Sequence, residues 1–253
     1  MGELAWALLG EGAEASVLGR TSRALFLEVG GEVLWVEGPA GPLHRRGVVA
    51  EAVPAWEAGG IVTVSAGRVG RRPELRLDPA WIWRSPPPPS PPVDLGRRAH
   101  GLLVELQRDL EPLREAGDGG WAEGLADAAR EGAGIAEWGR TWIGSGPGLT
   151  PLGDDLVGGA LFALWVLGEG AGQGEELVGW ARGRTTRLSG CLLADLSQGH
   201  GPAPLHRLAG ALSTGQGAAA RRAAQELVGV GHSTGRALLG AALVVWSVRK
   251  GRA

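Results

Sequence analysis

The proline-rich run at residues 85–92, SPPPPSPP, most constrains how this chain folds. Consecutive prolines adopt extended polyproline II and cannot continue a helix, so the run predicts a semi-rigid linker. The hydrophobic pattern also changes there, from short β-type runs between turn residues to the steps of three and four that are typical of helices. The sequence therefore predicts one domain at 1–84 and a second at 93–253.

Short runs of β-type residues precede the linker. Gly30-Gly31 between two of them predicts a hairpin. Strands this short pack as a small antiparallel sheet or a partial barrel, which makes the first domain β-rich. The predicted strands cover 16–18, 24–29, 32–36, 61–64 and 75–77.

Helical periodicity dominates the chain after the linker. The predicted helices cover 95–113, 121–130, 134–142, 154–168, 175–182, 187–198, 203–212, 217–229 and 234–249. Those at 154–168 and 234–249 are apolar on nearly every face, which predicts two buried central helices. The fold class is therefore α+β, a small β-rich N-terminal domain followed by an all-α helical bundle.

Composition excludes several classes of protein. A net charge of −2 over 253 residues gives no basic field for nucleic acid or an anionic membrane. The apolar runs reach only about 12 residues, too short to span a bilayer. A single cysteine and the lack of a signal-peptide pattern predict a soluble, cytoplasmic protein. Lys250, the one lysine, is far from any glycine loop, so a Walker A site is excluded.

Residues 144–155, GSGPGLTPLGDD, form the most informative motif. Its glycines and prolines predict a fixed loop that delivers Asp154 and Asp155 to the first turn of a buried helix. Free amides and the helix dipole stabilise carboxylates there, so a simple helix cap is one interpretation. A ligand-binding loop is the other.

The second buried helix starts in a similar way, after the sequence GHSTG at 231–235. If the two helix starts open on the same side, their free amides form an anion-binding pocket; otherwise they are two separate caps. The sequence also matches the G-x-S-x-G of hydrolases, but it follows a predicted helix, and no Asp, Glu or His comes after His232. Ser233 is therefore predicted to be the N-cap, with His232 beside it for binding or proton handling.

A third polar segment, RGRTTRLS at 182–189, begins another predicted helix. Arginine binds phosphate or carboxylate with two parallel hydrogen bonds, and Arg187 is flanked by hydroxyl residues; a solvated face is the alternative. The five histidines lack zinc-ligand spacing. Asp154 and Asp155 are the candidate ligands for a metal, a Mg²⁺ ion, and no other cofactor is predicted.

In their order along the chain, these three blocks resemble the family of the oxamate carbamoyltransferase AllH-type subunit. Leu152 stands where that family usually has serine, and Arg236 stands where an acidic residue often follows the GHSTG block. The resemblance implies a carbamoyl transfer, in which oxalurate and phosphate interconvert with oxamate and carbamoyl phosphate. It also implies partner subunits or self-association, and a non-catalytic partner subunit is the alternative role.

The resemblance also implies roles for single residues. Asp154 and Asp155 would bind the carbamoyl NH₂ or Mg²⁺, and His232 and Ser233 would donate to the carbonyl or carry a proton. The remaining residues expected to bind the small anionic substrate are Gly146, Gly148, Thr150, Thr186, Arg187, Ser189 and Thr234.

Overall fold

The computed structural model describes residues 1–10, 14–65, 68–69, 75–76, 81–116, 120–131 and 134–249. Its contacts divide the chain into two compact units, Met1–Ser85 and Pro86–Ala253. The division falls inside the proline-rich run. Strands lie in the first unit and a succession of helices forms the second, so the predicted α+β class is confirmed.

The first unit contains one helix and a mixed sheet with strand order β4-β3-β2-β1-β5-β6-β7. Its elements are α1 (Glu3–Gly10), β1 (Glu14–Arg20), β2 (Ala24–Val29), β3 (Glu32–Glu37), β4 (Gly47–Val49), β5 (Ile61–Ser65), β6 (Arg68–Val69) and β7 (Leu75–Arg76). The sequence predicts an antiparallel sheet or a partial barrel. The observed sheet is mixed instead, because β4 pairs with β3 in parallel. The sequence pattern also missed α1 and the three-residue β4. Residue 77 of the last predicted strand lies outside the described residues.

The predicted hairpin joins β2 to β3. Gly30 and Gly31 have φ of 56° and 86°, the positive values that a type I′ turn requires at both central positions. The turn pairs Val29 with Glu32 and sets the register of the hairpin. Alternate side chains of β1 and β2, such as Val17 and Leu25, are then buried in one apolar cluster with residues of α1.

Buried charged groups accompany β3. Arg46 donates to Glu32 at 2.6 Å and to the carbonyl of Val33 at 3.1 Å. Burial raises the pKa of Glu37 to about 7, although the indole of Trp35 donates a hydrogen bond to it and opposes the shift. Glu37 therefore titrates near neutral pH within the β-rich unit.

The second unit is a helical bundle. Its helices are α2 (Leu95–Glu105), α3 (Gln107–Ala116), α4 (Trp121–Arg130), α5 (Gly134–Trp142), α6 (Leu152–Val166), α7 (Ala171–Ala181), α8 (Arg187–Ser197), α9 (Ala203–Ser213), α10 (Gly217–Val228) and α11 (Thr234–Val248). The helix predicted over 95–113 is two helices, separated at Leu106. Pro112 lies inside α3, where its missing N–H leaves the carbonyl of Arg108 without an intrahelical donor and favours a bend.

Helices α6 and α11 form the centre of the bundle, as their apolar sequences predict. Nearly all of their residues are buried, and the two helices pack directly on each other. Gly159 permits this approach, since a Cβ there would lie 2.6 Å from the carbonyl oxygen of Leu238. The indole of Trp246 donates to the carbonyl of Ala163 at 3.2 Å, which ties the helices further along. Among the described residues, none of the helices has both the length and the apolar character needed to cross a membrane.

We expect Gly159→Ala to destabilise the bundle by about 1–3 kcal/mol, because the added methyl group would force α6 and α11 apart. Gly101→Ala in α2 is the matched control, since no atom lies within 4 Å of a Cβ at that exposed position. The control should be neutral or stabilising by up to about 1 kcal/mol. Urea unfolding followed by circular dichroism measures both changes, and equal stabilities for the two variants would contradict the close-packing argument.

Candidate functional site

Asp154 is a buried carboxylate that holds three segments together. It is 2% exposed and lies in the first turn of α6. One oxygen accepts from the backbone N–H of Gly144 at 2.7 Å, and the other accepts from Ser189 Oγ at 2.7 Å and from the hydroxyl of Thr185. These hydrogen bonds join the glycine loop and the start of α8 to α6. Asp154 is thus a structural anchor, and donors within the protein surround its charge.

Two glycines of the motif are required by close contacts. Gly144 has φ of 82°, and a Cβ there would lie 2.2 Å from the carbonyl oxygen of Arg184. A Cβ on Gly153 would lie 1.9 Å from the carbonyl oxygen of Trp142. A larger residue at either position would force these backbone segments apart. The loop is therefore fixed, as the sequence predicts.

Gly146 and Gly148 lie in the exposed part of the same loop. Their φ values are 108° and 100°, a conformation that favours glycine. Neither backbone N–H donates a hydrogen bond to any described residue. These two amides are therefore accessible donors at the edge of the site.

The start of α8 is attached to the glycine loop by its N-cap. Thr186 Oγ1 accepts from the N–H of Ser189 at 3.1 Å, and the same hydroxyl donates to the carbonyl of Leu149. Arg187, the first residue of α8, is exposed. Of the predicted residues, Thr186 therefore contacts the loop, and Ser189 contacts Asp154 of α6.

The N-terminal ends of α6 and α11 meet, as one of the two alternatives from sequence requires. Thr150 Oγ1 and Thr234 Oγ1 are 3.0 Å apart. Asp155 is 4% exposed, and both threonine hydroxyls hydrogen-bond to its side chain. Its Oδ2 atom has no partner among the described residues. Asp155 is therefore the member of the acidic pair that retains a free acceptor.

Burial raises the pKa of Asp155 well above its ordinary value. The hydroxyls of Thr234 and Thr150 oppose this shift, whereas the neighbouring charge of Asp154 adds to it. A carboxyl group with a raised pKa holds its proton over a wider pH range and can donate a hydrogen bond. The two adjacent aspartates thus occupy different chemical environments.

His232 and Ser233 lie at the start of α11. Ser233 is the N-cap residue, as predicted, but its hydroxyl makes no capping hydrogen bond. His232 is exposed, and its carbonyl oxygen accepts from Arg236 at 2.9 Å. In the described part of the chain, neither side chain hydrogen-bonds to Asp154 or Asp155.

The first-turn amides of the two buried helices are mostly used within the protein. The N–H groups of Gly153, Asp154 and Asp155 donate to backbone carbonyls at 2.9, 3.0 and 3.2 Å, and that of Gly235 donates to Val230 at 3.0 Å. The expectation of a pocket lined by free helix amides is therefore wrong for these groups. The physical reason is that the tight turns before each helix supply their own acceptors.

The donor set fits a metal poorly at Asp154. Both of its oxygens already accept hydrogen bonds, so a Mg²⁺ ion would have to displace them. Within the described ranges, His, Cys, Asp and Glu form no group of three or more that could hold a metal ion. These contacts disfavour a Mg²⁺ ion at Asp154.

Two cavities lie away from these residues. One, of about 300 Å³, lies between α2, α9 and α10 and is lined in part by Arg98, Leu212 and Arg221. The other, of about 440 Å³, belongs to the first unit and includes Leu43 and Trp81. Neither of the two is lined by a residue predicted to bind substrate.

Comparison with known families supports the grouping of these blocks. Residues 142–245 match the family model of oxamate carbamoyltransferase subunit AllH. The AllH match begins just before the glycine loop and extends through most of α11, so it contains all three sequence blocks. The resemblance predicted from those blocks is therefore confirmed over these residues. No solved structure matches the chain.

Sequence reasoning assigned no site role to Thr185 and did not separate the two aspartates. Thr185 stands beside Thr186 in the block, but only its hydrogen bond to Asp154 reveals what it does. Two further features went unpredicted, the close contact of Gly144 with Arg184 and the unpartnered oxygen of Asp155. Each depends on segments distant in sequence, so a local pattern carries no signal for it.

We expect Asp154→Ala to lower the free energy of unfolding by roughly 3 kcal/mol, because buried donors would lose their acceptor. Asp127→Ala is the control, since its side chain is 72% exposed and pairs with Arg130 at the surface. That change should cost no more than about 1 kcal/mol. Chemical unfolding measures both, and a loss at Asp154 no larger than at Asp127 would show that Asp154 is not an anchor.

Asp155→Asn should change how stability depends on pH. In the wild type, the raised pKa of Asp155 gives a contribution that is complete below its unfolded pKa of about 3.9 and is lost as pH rises through the folded pKa. The variant lacks this loss, so its stability relative to the wild type should increase with pH above about 4. Urea unfolding over a pH series measures the difference, with Asp127→Asn as control. A difference that stays constant with pH would contradict the raised pKa.

Proposed function

We propose that this chain is a subunit of a carbamoyltransferase whose substrate-binding region lies at the starts of α6, α8 and α11. The observation that carries the proposal is the AllH match over 142–245, which spans these three helix starts and the loop that joins them. The reaction would transfer the carbamoyl group of oxalurate to phosphate, which gives oxamate and carbamoyl phosphate, or run in the reverse direction. The carbamoyl C–N bond of oxalurate breaks and a C–O bond to phosphate forms.

The electrostatics of the acidic pair are compatible with an anionic substrate. Two bare carboxylates would repel phosphate, but donors compensate Asp154 and burial raises the pKa of Asp155. In its neutral form Asp155 would donate a hydrogen bond to the carbamoyl oxygen, and in its ionised form it would accept from the carbamoyl NH₂. Thr150 and Thr234 would orient this carboxyl group.

The remaining roles follow from position. The amides of Gly146 and Gly148 and the guanidinium of Arg187 would bind the anion, since all three lie exposed at the edge of the site. His232 and Ser233 would carry the proton that the leaving nitrogen needs. Thr186 and Ser189 would act by holding the loop to α8.

A non-catalytic partner subunit is the second candidate. The observation that favours it is the use of Asp154 and of the α6 and α11 amides by the protein itself. Under this proposal the glycine loop is a structural element, and Asp155 is a buried acid without a ligand. The chain would then bind none of the reactants.

We expect carbamoyl phosphate, oxalurate or oxamate to raise the thermal unfolding temperature of the isolated chain. A ligand at 100 times its Kd adds about 2.7 kcal/mol of stability. Asp155→Asn should abolish most of the shift, whereas Asp127→Asn, on the exposed face of α4, should retain it. The release of carbamoyl phosphate from oxalurate and phosphate provides a second readout. A chain that responds to none of the ligands and shows no turnover would support the non-catalytic candidate.

A further inference from the structure

An exposed tryptophan at the end of α7 is surrounded by cations. Trp180 and Leu149 of the glycine loop are each 37% exposed. The guanidinium carbon of Arg184 lies 3.9 Å from the centroid of the Trp180 ring, and that of Arg140 lies 5.5 Å from it. Tryptophan and arginine are the side chains most enriched at the energetic centres of protein interfaces. We call this surface the cationic patch; it comprises Leu149, Trp180, Arg182 and Arg184.

The parts of the cationic patch are connected by direct contacts. Thr186 donates to the carbonyl of Leu149, which holds the loop beside Arg187. Arg184 also donates to the carbonyl of Trp180 at 3.1 Å. These hydrogen bonds hold the loop at Leu149 against the start of α8 and hold the Arg184 side chain at the end of α7.

The charge of the patch is strongly one-sided. No Asp or Glu occurs in the sequence between Glu176 and Asp195, whereas three arginines occur there. Glu176 itself pairs with Arg140. An exposed excess of positive charge around apolar side chains is complementary to a surface that carries carboxylates.

The same unit carries a matching acidic surface on α4. Glu123, Asp127 and the C-cap residue Glu131 follow one another at steps of four, and all three are exposed. Residues spaced by four lie on one face of a helix, so they form a continuous row that we call the acidic stripe. Arg130 pairs with Asp127, which leaves the row negative overall.

Helix α5 lies between the two surfaces. It packs against both α4 and α7. Surfaces that flank one helix can meet their counterparts twice when two copies are related by a two-fold axis. We propose that the cationic patch binds the acidic stripe of a second copy of this chain, in a two-fold symmetric dimer. This proposal does not depend on carbamoyl transfer.

Sedimentation velocity of the full chain tests the dimer. In low-salt buffer we expect a concentration-dependent dimer that high salt weakens, because exposed ion pairs are screened. Arg184→Glu should raise the dimer Kd by roughly tenfold or more, since it places like charges together. Arg207→Glu is the control, because Arg207 is an exposed arginine on α9 that pairs with Glu226. It should leave the dimer Kd unchanged.

A charge exchange tests which surfaces meet. Asp127→Arg should also weaken the dimer, but an equimolar mixture of R184E and D127R should associate about as tightly as the wild type. In the mixed pair each new charge faces its opposite, and the second contact keeps the original residues. Circular dichroism checks that the variants fold, and Arg182→Glu replaces Arg184→Glu if the latter does not. A monomeric wild type, an unaffected R184E dimer or a mixture that fails to associate would each overturn the proposal.

Discussion

The hydrogen bonds to Asp154 are the interaction on which the site depends. A buried carboxylate is costly unless donors surround it, and here a backbone amide and two hydroxyls converge on it. The donors come from the glycine loop and from the start of α8, so one charge fixes two segments that differ in sequence position by about forty residues. The loop that carries the exposed amides of Gly146 and Gly148 is held to this anchor through Gly144.

The sequence predicted most of the bundle because helical periodicity is a local property. The central positions of α6 and α11 follow directly from helices that are apolar on nearly every face. The strand β4 was missed, since three residues are too few for a pattern and its parallel partner lies across a loop. The separation of α2 from α3 at Leu106 was missed because the apolar spacing continues through it.

The sequence predicted which residues belong to the candidate site, but not which neighbours each side chain contacts. Adjacent residues on a helix point about 100° apart, so Asp154 and Asp155 look alike in sequence yet face different neighbours. Thr185 completes the anchor through a tertiary contact, for which the motif gives no signal. The use of first-turn amides by nearby carbonyls likewise depends on the turn geometry before each helix.

The hydroxyl groups of Thr150 and Thr234 link the starts of the two central helices to Asp155. Either hydroxyl can be the donor across their 3.0 Å separation, and both also reach Asp155. A neutral carboxyl group supplies a hydrogen atom to this small ring of oxygens, whereas an ionised one draws hydrogen atoms toward itself. The orientation of the two hydroxyl groups between α6 and α11 therefore depends on whether Asp155 is protonated.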